Sequence, residues 1–398
     1  MIKALKTLLV VVAVVASPLY AYSLGTDSLP APEKRKSELR QIRRDSIRAH
    51  KKVWFSILGG PSYTPEASLG IAAAMLASFK IDKSDTISQR SYIPMGLNVS
   101  LNGTIVAAGA GNLFFKENKF RVYLKYGYRE EPSHYFGKGY DEIEHVEQGK
   151  TTTEFHKRNL QFNPHFYWQV RPRLFLGALI DVNYTKSSKI NDYMAHNAYV
   201  NKYGLEYLNM GLGATIQYDT RDDVATPSRG VLLSGTGKFY SPWFGGDYDF
   251  QIAEFEYRHF VSLFNRRSVL GWTVKSQVGF GDIPFTELPM YGSPFDLRGY
   301  YWGKYRDKSM AYGIVEYRHM FGSNEAYQKG RFFSKFGFVV WCGTGTLGET
   351  PAQWTKWKLN YGAGLRIQLQ PRKNLRLDIG REPGTKGVLF YMNMTEAF

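Results

Sequence analysis

The side chains that could do chemistry in this chain are ions set at strand spacing. Arg298 is followed by Gly299 within the aromatic-rich stretch Pro294-Phe295-Asp296-Leu297-Arg298-Gly299-Tyr300. Glu316 precedes Arg318 by two residues, Arg376 precedes Asp378 by two, and Glu254, Glu256 and Arg258 alternate in the same way. The chemistry these groups offer is ion pairing. A guanidinium beside a residue free to turn sharply can be pushed from a loop into a polar interior and gripped there by carboxylates in fork geometry. Glu254 and Glu256 are not a proton-transfer pair on this reading, because their spacing in a strand is what a charged lumen face produces. The eight His are scattered without ligand spacing, no His-Glu-x-x-His or Gly-x-Ser-x-Gly occurs, and Cys342, the one Cys, sits where a small apolar residue would serve equally. The sequence is therefore read as that of a non-enzyme with no metal or cofactor.

Strands are the elements that would position these ions. In Asn374–Gly380, Leu375, Leu377 and Ile379 take one face while Arg376, Asp378 and Gly380 take the other. Asn360–Gln370 repeats the pattern, with Tyr361, Ala363, Leu365, Ile367 and Leu369 opposed to Asn360, Gly362, Gly364, Arg366 and Gln368. From Val53 onward the chain parses into about sixteen such segments. Short turns are expected at 81–85, 116–119, 171–173, 265–267 and 371–374, and somewhat longer ones at 221–229 and 322–330. Long loops are expected at 130–150, 186–205, 283–309 and 345–353. By alternation Glu316 and Asp378 both fall on the polar, inward face.

Composition sets the compartment. Lys3 and Lys6, an apolar run from Leu8 to Ala16, Ser17, Pro18 and small residues at Ala21 and Ser23 read as a secretory signal peptide over residues 1–23. Nothing later supplies the roughly 20 consecutive apolar residues of a membrane helix, and the mean hydropathy is −0.34. Yet 16 % of the chain is aromatic, with 28 Tyr and 26 Phe. An exported chain of that composition suits an all-β transmembrane antiparallel barrel of about sixteen strands, in which outward and inward residues alternate and hydropathy averages out. A secreted β-sandwich is the rival reading. One Cys excludes a disulfide framework. Much of the net charge of +16 sits in Pro32–Lys52, nine Lys/Arg against three acids. Residues 24–52 read as a basic periplasmic arm, helical or disordered, or as one that meets anionic headgroups or the barrel mouth. Nucleic acid is excluded as a partner, because no stacking or zinc motif accompanies the charge.

Several of these stretches resemble the BamA/TamA family of outer-membrane β-barrels, the bacterial surface antigen superfamily. The aromatic loop with Arg298 and Gly299 resembles the family's hallmark loop, and Ile57–Gly70 resembles the first hairpin of its short members. Tyr218–Gly230 resembles its strand-turn-strand element, in which Asp219-x-Arg221-Asp222 and Pro227-x-x-Gly230 frame a periplasmic turn. Val388–Phe398 resembles the terminal strand signal ending on an aromatic, here Phe398, and departs from it at Glu396. The resemblance implies that Arg298 reaches inside the barrel to acids of the late strands, Glu316 and Asp378. Where relatives carry an Asp this chain has Trp341, which is expected to stack on the guanidinium.

The resemblance covers residues 53–398 as one barrel domain in the bacterial outer membrane. Residues 24–52 leave no room for a POTRA domain, so a short form lacking them is expected. The implied function is protein assembly or transport across the outer membrane with separate periplasmic partners or client polypeptides. Outer-membrane lipids are the surrounding partner. A passive solute pore and a surface-structural or binding barrel stay open beside it.

Overall fold

The computed structural model describes residues 53–398 apart from 65–66, 83, 86–87, 89, 150, 225, 265–266, 322–331, 371–372, 385–386 and 394–395. The expected signal peptide, the basic arm and the turn at 322–330 lie outside the described residues. Sixteen strands join in chain order into one antiparallel sheet. These are β1 (Val53–Thr64), β2 (Ser68–Phe79), β3 (Ser91–Ser100), β4 (Ile105–Phe114), β5 (Phe120–His134), β6 (Glu154–Arg171), β7 (Leu174–Ser188) and β8 (Glu206–Asp219). They continue as β9 (Gly230–Tyr240), β10 (Phe250–Ser262), β11 (Ser268–Gly281), β14 (Ser309–Met320), β15 (Phe336–Gly348), β16 (Lys358–Gln370), β17 (Lys373–Arg381) and β18 (Leu389–Asn393). Two short strands, β12 (Met290–Tyr291) and β13 (Tyr305–Arg306), pair with each other inside the loop between β11 and β14.

The alternation decides which side faces lipid. On β14 Val315 is exposed between buried Ile314 and Glu316, and on β15 Val340 is exposed between buried Val339 and Trp341. Outward residues along the strands are mostly apolar, while the ions face in beside aromatic and aliphatic side chains, so the backbone is satisfied by ladders while the membrane meets hydrocarbon. Among the described residues no helix is long and apolar enough to cross a membrane, and the crossings are made by strands. The sheet curls until its first and last strands meet, with the Tyr63 and Phe390 rings 5.8 Å apart. β1 and β18 are the two ends of the strand order, and the barrel is nearly closed.

Several strand ends differ from the sequence reading. β1 continues through Gly59-Gly60-Pro61 to Thr64 instead of stopping at Gly59. β5, β7 and β15 run on to His134, Ser188 and Gly348, beyond the expected loop starts. The last strand is the opposite case, covering Leu389–Asn393 instead of 388–398.

The long loops fold into a cap. Residues 135–153 carry α1 (Gly139–Ile143), and 189–205 carry α2 (Asp192–His196) and α3 (Ala198–Tyr203). Asn197 starts α3 by accepting from the backbone N–H of Tyr199 and Val200 at 3.1 Å. Aromatic residues fill the space between loops: Tyr291 stacks on Tyr305 at 5.1 Å, and the Tyr140 and Tyr291 hydroxyls are 2.9 Å apart. A second cluster gathers Tyr135, Phe155, Met194, Val200, Tyr207 and Phe285.

Candidate functional site

The loop from 282 to 308 dips into the lumen, and its shape is set locally. Asp296 accepts from the N–H groups of Gly292, Ser293 and Leu297 at 3.0, 2.6 and 2.5 Å, a turn that presents the next residues downward. Burial raises the Asp296 carboxyl above its usual range. Gly299 has a φ of 116°, and a Cβ there would sit 2.7 Å from the backbone of Arg381 on β17. Only glycine allows the loop to lie this close to the wall. The contact is fixed by the Gly299 N–H donating to the Tyr391 hydroxyl at 3.0 Å and by Asn360 Nδ2 donating to the Arg298 carbonyl at 2.8 Å.

The Arg298 side chain is fully buried. One terminal nitrogen donates to Asp378 Oδ2 at 2.7 Å and the other to Glu316. Its guanidinium lies 3.6 Å over the Trp341 ring. Desolvated, that cation–π contact contributes about 2 kcal/mol. Arg298, Glu316, Asp378 and Trp341 thus meet at one point, with Trp341 against the face of the guanidinium.

The site is larger than those four. Arg366 donates to Asp378 Oδ1 at 2.6 Å and to Glu396 Oε2 at 2.9 Å, while Asn374 donates to Glu396 at 3.0 Å. Arg318 donates to Glu316 at 2.6 Å and to the Phe398 carbonyl oxygen at 2.8 Å. Arg376 lies 3.4 Å from Asp378 Oδ2 and donates to the Pro294 carbonyl at 2.6 Å. Such a network is a poor source of net stability, since every ion was taken from water. Removing one partner of a buried pair, however, costs about 3–5 kcal/mol, because a charge is stranded. What it fixes is position: the loop, four strands and the segment after β18 share one set of ions.

Glu396 and Phe398 lie off the sheet. Phe398 is buried in the lumen, its ring 6.0 Å from Phe260 and 5.1 Å from the Arg318 guanidinium carbon. Glu396 read as a departure from a terminal strand pattern because it is an ion, and here it is the second carboxylate of Arg366. A carboxylate needing a guanidinium cannot stay on a lipid-facing ladder.

The turn element at 219–230 is held by its own side chains. Asp219 grips Arg221 with two contacts of 3.0 and 3.1 Å, and Asp222 accepts from the N–H groups of Ser228 and Arg229 at 2.8 and 3.2 Å. Pro227 precedes that pair, and Gly230 opens β9 at a φ of 107°, where a Cβ would meet the Thr220 carbonyl at 2.4 Å. The turn stands apart from the Arg298 cluster. Glu254, Glu256 and Arg258 line the lumen on β10, as does Lys238 on β9. Cys342 is exposed on the outer face.

Comparison with known proteins places this geometry. An Omp85 superfamily domain matches residues 91–398. Among solved structures, BamA from Haemophilus ducreyi lacking POTRA domains 1-3 superposes with a TM-score of 0.55 at 12 % identity, covering 86 % of this chain and 69 % of that one. CdiB from Escherichia coli superposes at 0.57 and 9 % identity, covering 87 % of this chain and 63 % of that one, so this chain spans less than two thirds of CdiB. At these identities the likeness is one of fold. No curated protein matches the sequence. A family domain over that much of the chain, on a sixteen-stranded barrel with a loop drawn into its lumen, makes this protein a member of the Omp85 superfamily, whose barrels are outer-membrane proteins that transport or insert protein.

Proposed function

We propose that this barrel acts in protein assembly or transport across the outer membrane through the seam between β1 and β18, with separate periplasmic partners delivering its clients. The observation that carries the reading is the unequal bonding around the barrel. Among the described residues fifteen pairs join β5 to β6, whereas five join β17 to β18 on one side of the seam and five join β3 to β4 on the other. β1 and β18 stand at the two ends of the strand order, so the sheet has its ends at one place on the membrane-facing wall, where an incoming strand can add to it. A passive pore is disfavoured by the lumen itself, which the loop occupies with fully buried Leu297, Arg298 and Tyr300.

Site-specific photo-crosslinking in growing cells tests this. Phe55 and Ile57 on β1 are 80 % and 73 % exposed, and Leu212 on β8 is exposed on the far wall. A photoreactive residue at position 57 is expected to capture polypeptides that the same residue at position 212 does not. Equal capture at both positions, or none at 57, would remove the seam from the mechanism.

A further inference from the structure

A cavity of about 380 Å³ lies in the lumen between the wall of β4 to β6 and the wall of β8 to β10, reaching from the 219–230 turn up to Lys238 and Glu254. That is the size range of small-molecule sites. Its two walls differ in how their charges are matched. On the β8 to β10 side each cation has its own carboxylate: Arg221 with Asp219 at 3.0 Å, Lys238 with Glu254 at 2.8 Å and Arg258 with Glu256 at 2.6 Å. On the β5 to β6 side the cavity is lined by Arg121, Tyr123, Lys125, Asn163, His165 and Tyr167, with no carboxylate among them.

Lys125 is the focus of the imbalance. Among the described residues it makes no hydrogen bond or ion pair, and its side chain opens on the cavity. The charges nearest it are mostly of its own sign, Lys238, Lys275 and Arg129, with Asp181 opposed. Arg121 donates through Nε to Asn118 at 2.6 Å and stacks 3.8 Å over Phe175, and the carboxylate that opposes it across the cavity, Asp219, has both oxygens on Arg221, which leaves the outer edge of the Arg121 guanidinium for another acceptor. Arg121, Tyr123 and Lys125 alternate along β5 and so face the same space, the two cations about 13 Å apart along the strand and both on long side chains. Unmatched cations on one wall of an enclosed lumen attract a mobile counter-charge, and a ligand with two anionic ends satisfies both at once.

We propose that this cavity binds a small solute bearing two anionic groups, phosphates or carboxylates, with the Lys125 ammonium and the Arg121 guanidinium as counter-charges and the Tyr123 hydroxyl as a hydrogen-bond donor between them. The site lies inside the barrel, so its ligand is a free solute and not a lipid headgroup. The inference is independent of the seam.

Inorganic pyrophosphate is the probe, titrated calorimetrically into the full-length barrel folded in detergent at low ionic strength. Wild-type protein is expected to bind it saturably, Lys125→Gln to weaken binding about tenfold or more, and Lys125→Arg to hold it within a few fold. Lys202→Gln removes a cation that pairs with Asp282 outside the cavity, and is expected to change nothing. Because Lys125 has no partner to strand, the Gln variant is expected to fold, which its unheated migration on a denaturing gel verifies. Absence of saturable binding to wild type overturns the proposal, as does equal binding by Lys125→Gln or equal loss in Lys202→Gln.

Discussion

Asp378 touches three guanidiniums, those of Arg298, Arg366 and Arg376, whereas Glu316 touches two, those of Arg298 and Arg318. Asp378→Asn is therefore expected to destabilise the barrel more than Glu316→Gln, with the first loss on the order of 3–5 kcal/mol. The temperature at which the folded band disappears on a semi-native gel ranks the two. Arg298→Ala leaves both acids without that partner and is expected to free the 282–308 loop for protease while the barrel still inserts. Unchanged cleavage of that loop would mean that it is held by its aromatic contacts alone. Both acids were legible in the sequence, because alternation fixes which side of a strand an ion occupies, whereas the reach of the loop residue Arg298 followed from the family resemblance of its loop. Arg366 was legible only as a member of the inward face. Its partner Glu396 lies beyond β18, and no local pattern announces a contact between a strand and a segment that has left the sheet.

At the scale of elements, the period of two identified the strands but not where they stop. β5 and β7 end in residues such as Glu130, Glu131, Lys186 and Ser187, polar on both faces, so the hydropathy signal fades while the ladder continues above the membrane. The cap was legible only as long loops, since its order comes from contacts between them. One such contact is pH-sensitive. Glu287, in the loop that carries Arg298, accepts from Asn183 on the wall, and burial, reinforced by the nearby Asp181 charge, raises its carboxyl to about 7. A raised acid favours the folded loop while protonated. Its contribution is full below about pH 4.5, fades as pH rises to about 7 and is flat above. The protection of residues 282–308 against hydrogen exchange, taken relative to the intrinsic amide rate at each pH, is expected to fall across that window in wild type and to be level in Glu287→Gln. A wild-type profile equally level would remove Glu287 as the cause.

For the whole molecule, near-closure of the sheet is the source of stability that a chain with one Cys requires. The unheated protein is accordingly expected to migrate faster than the boiled protein on a denaturing gel, because a barrel with its backbone bonded internally resists detergent. Identical migration would contradict the barrel. The weak point of the closure is where β1 and β18 meet, and the proposed function rests on that seam opening. Tyr63 and Phe390 face each other across it, their rings 5.8 Å apart. Cysteines at these two positions, in a variant with Cys342→Ala, can be joined after assembly and released by reductant. If the protein handles polypeptides through the seam, the joined barrel is expected to fail to rescue a deletion strain and to regain rescue on reduction. Full rescue by the joined barrel would contradict the account.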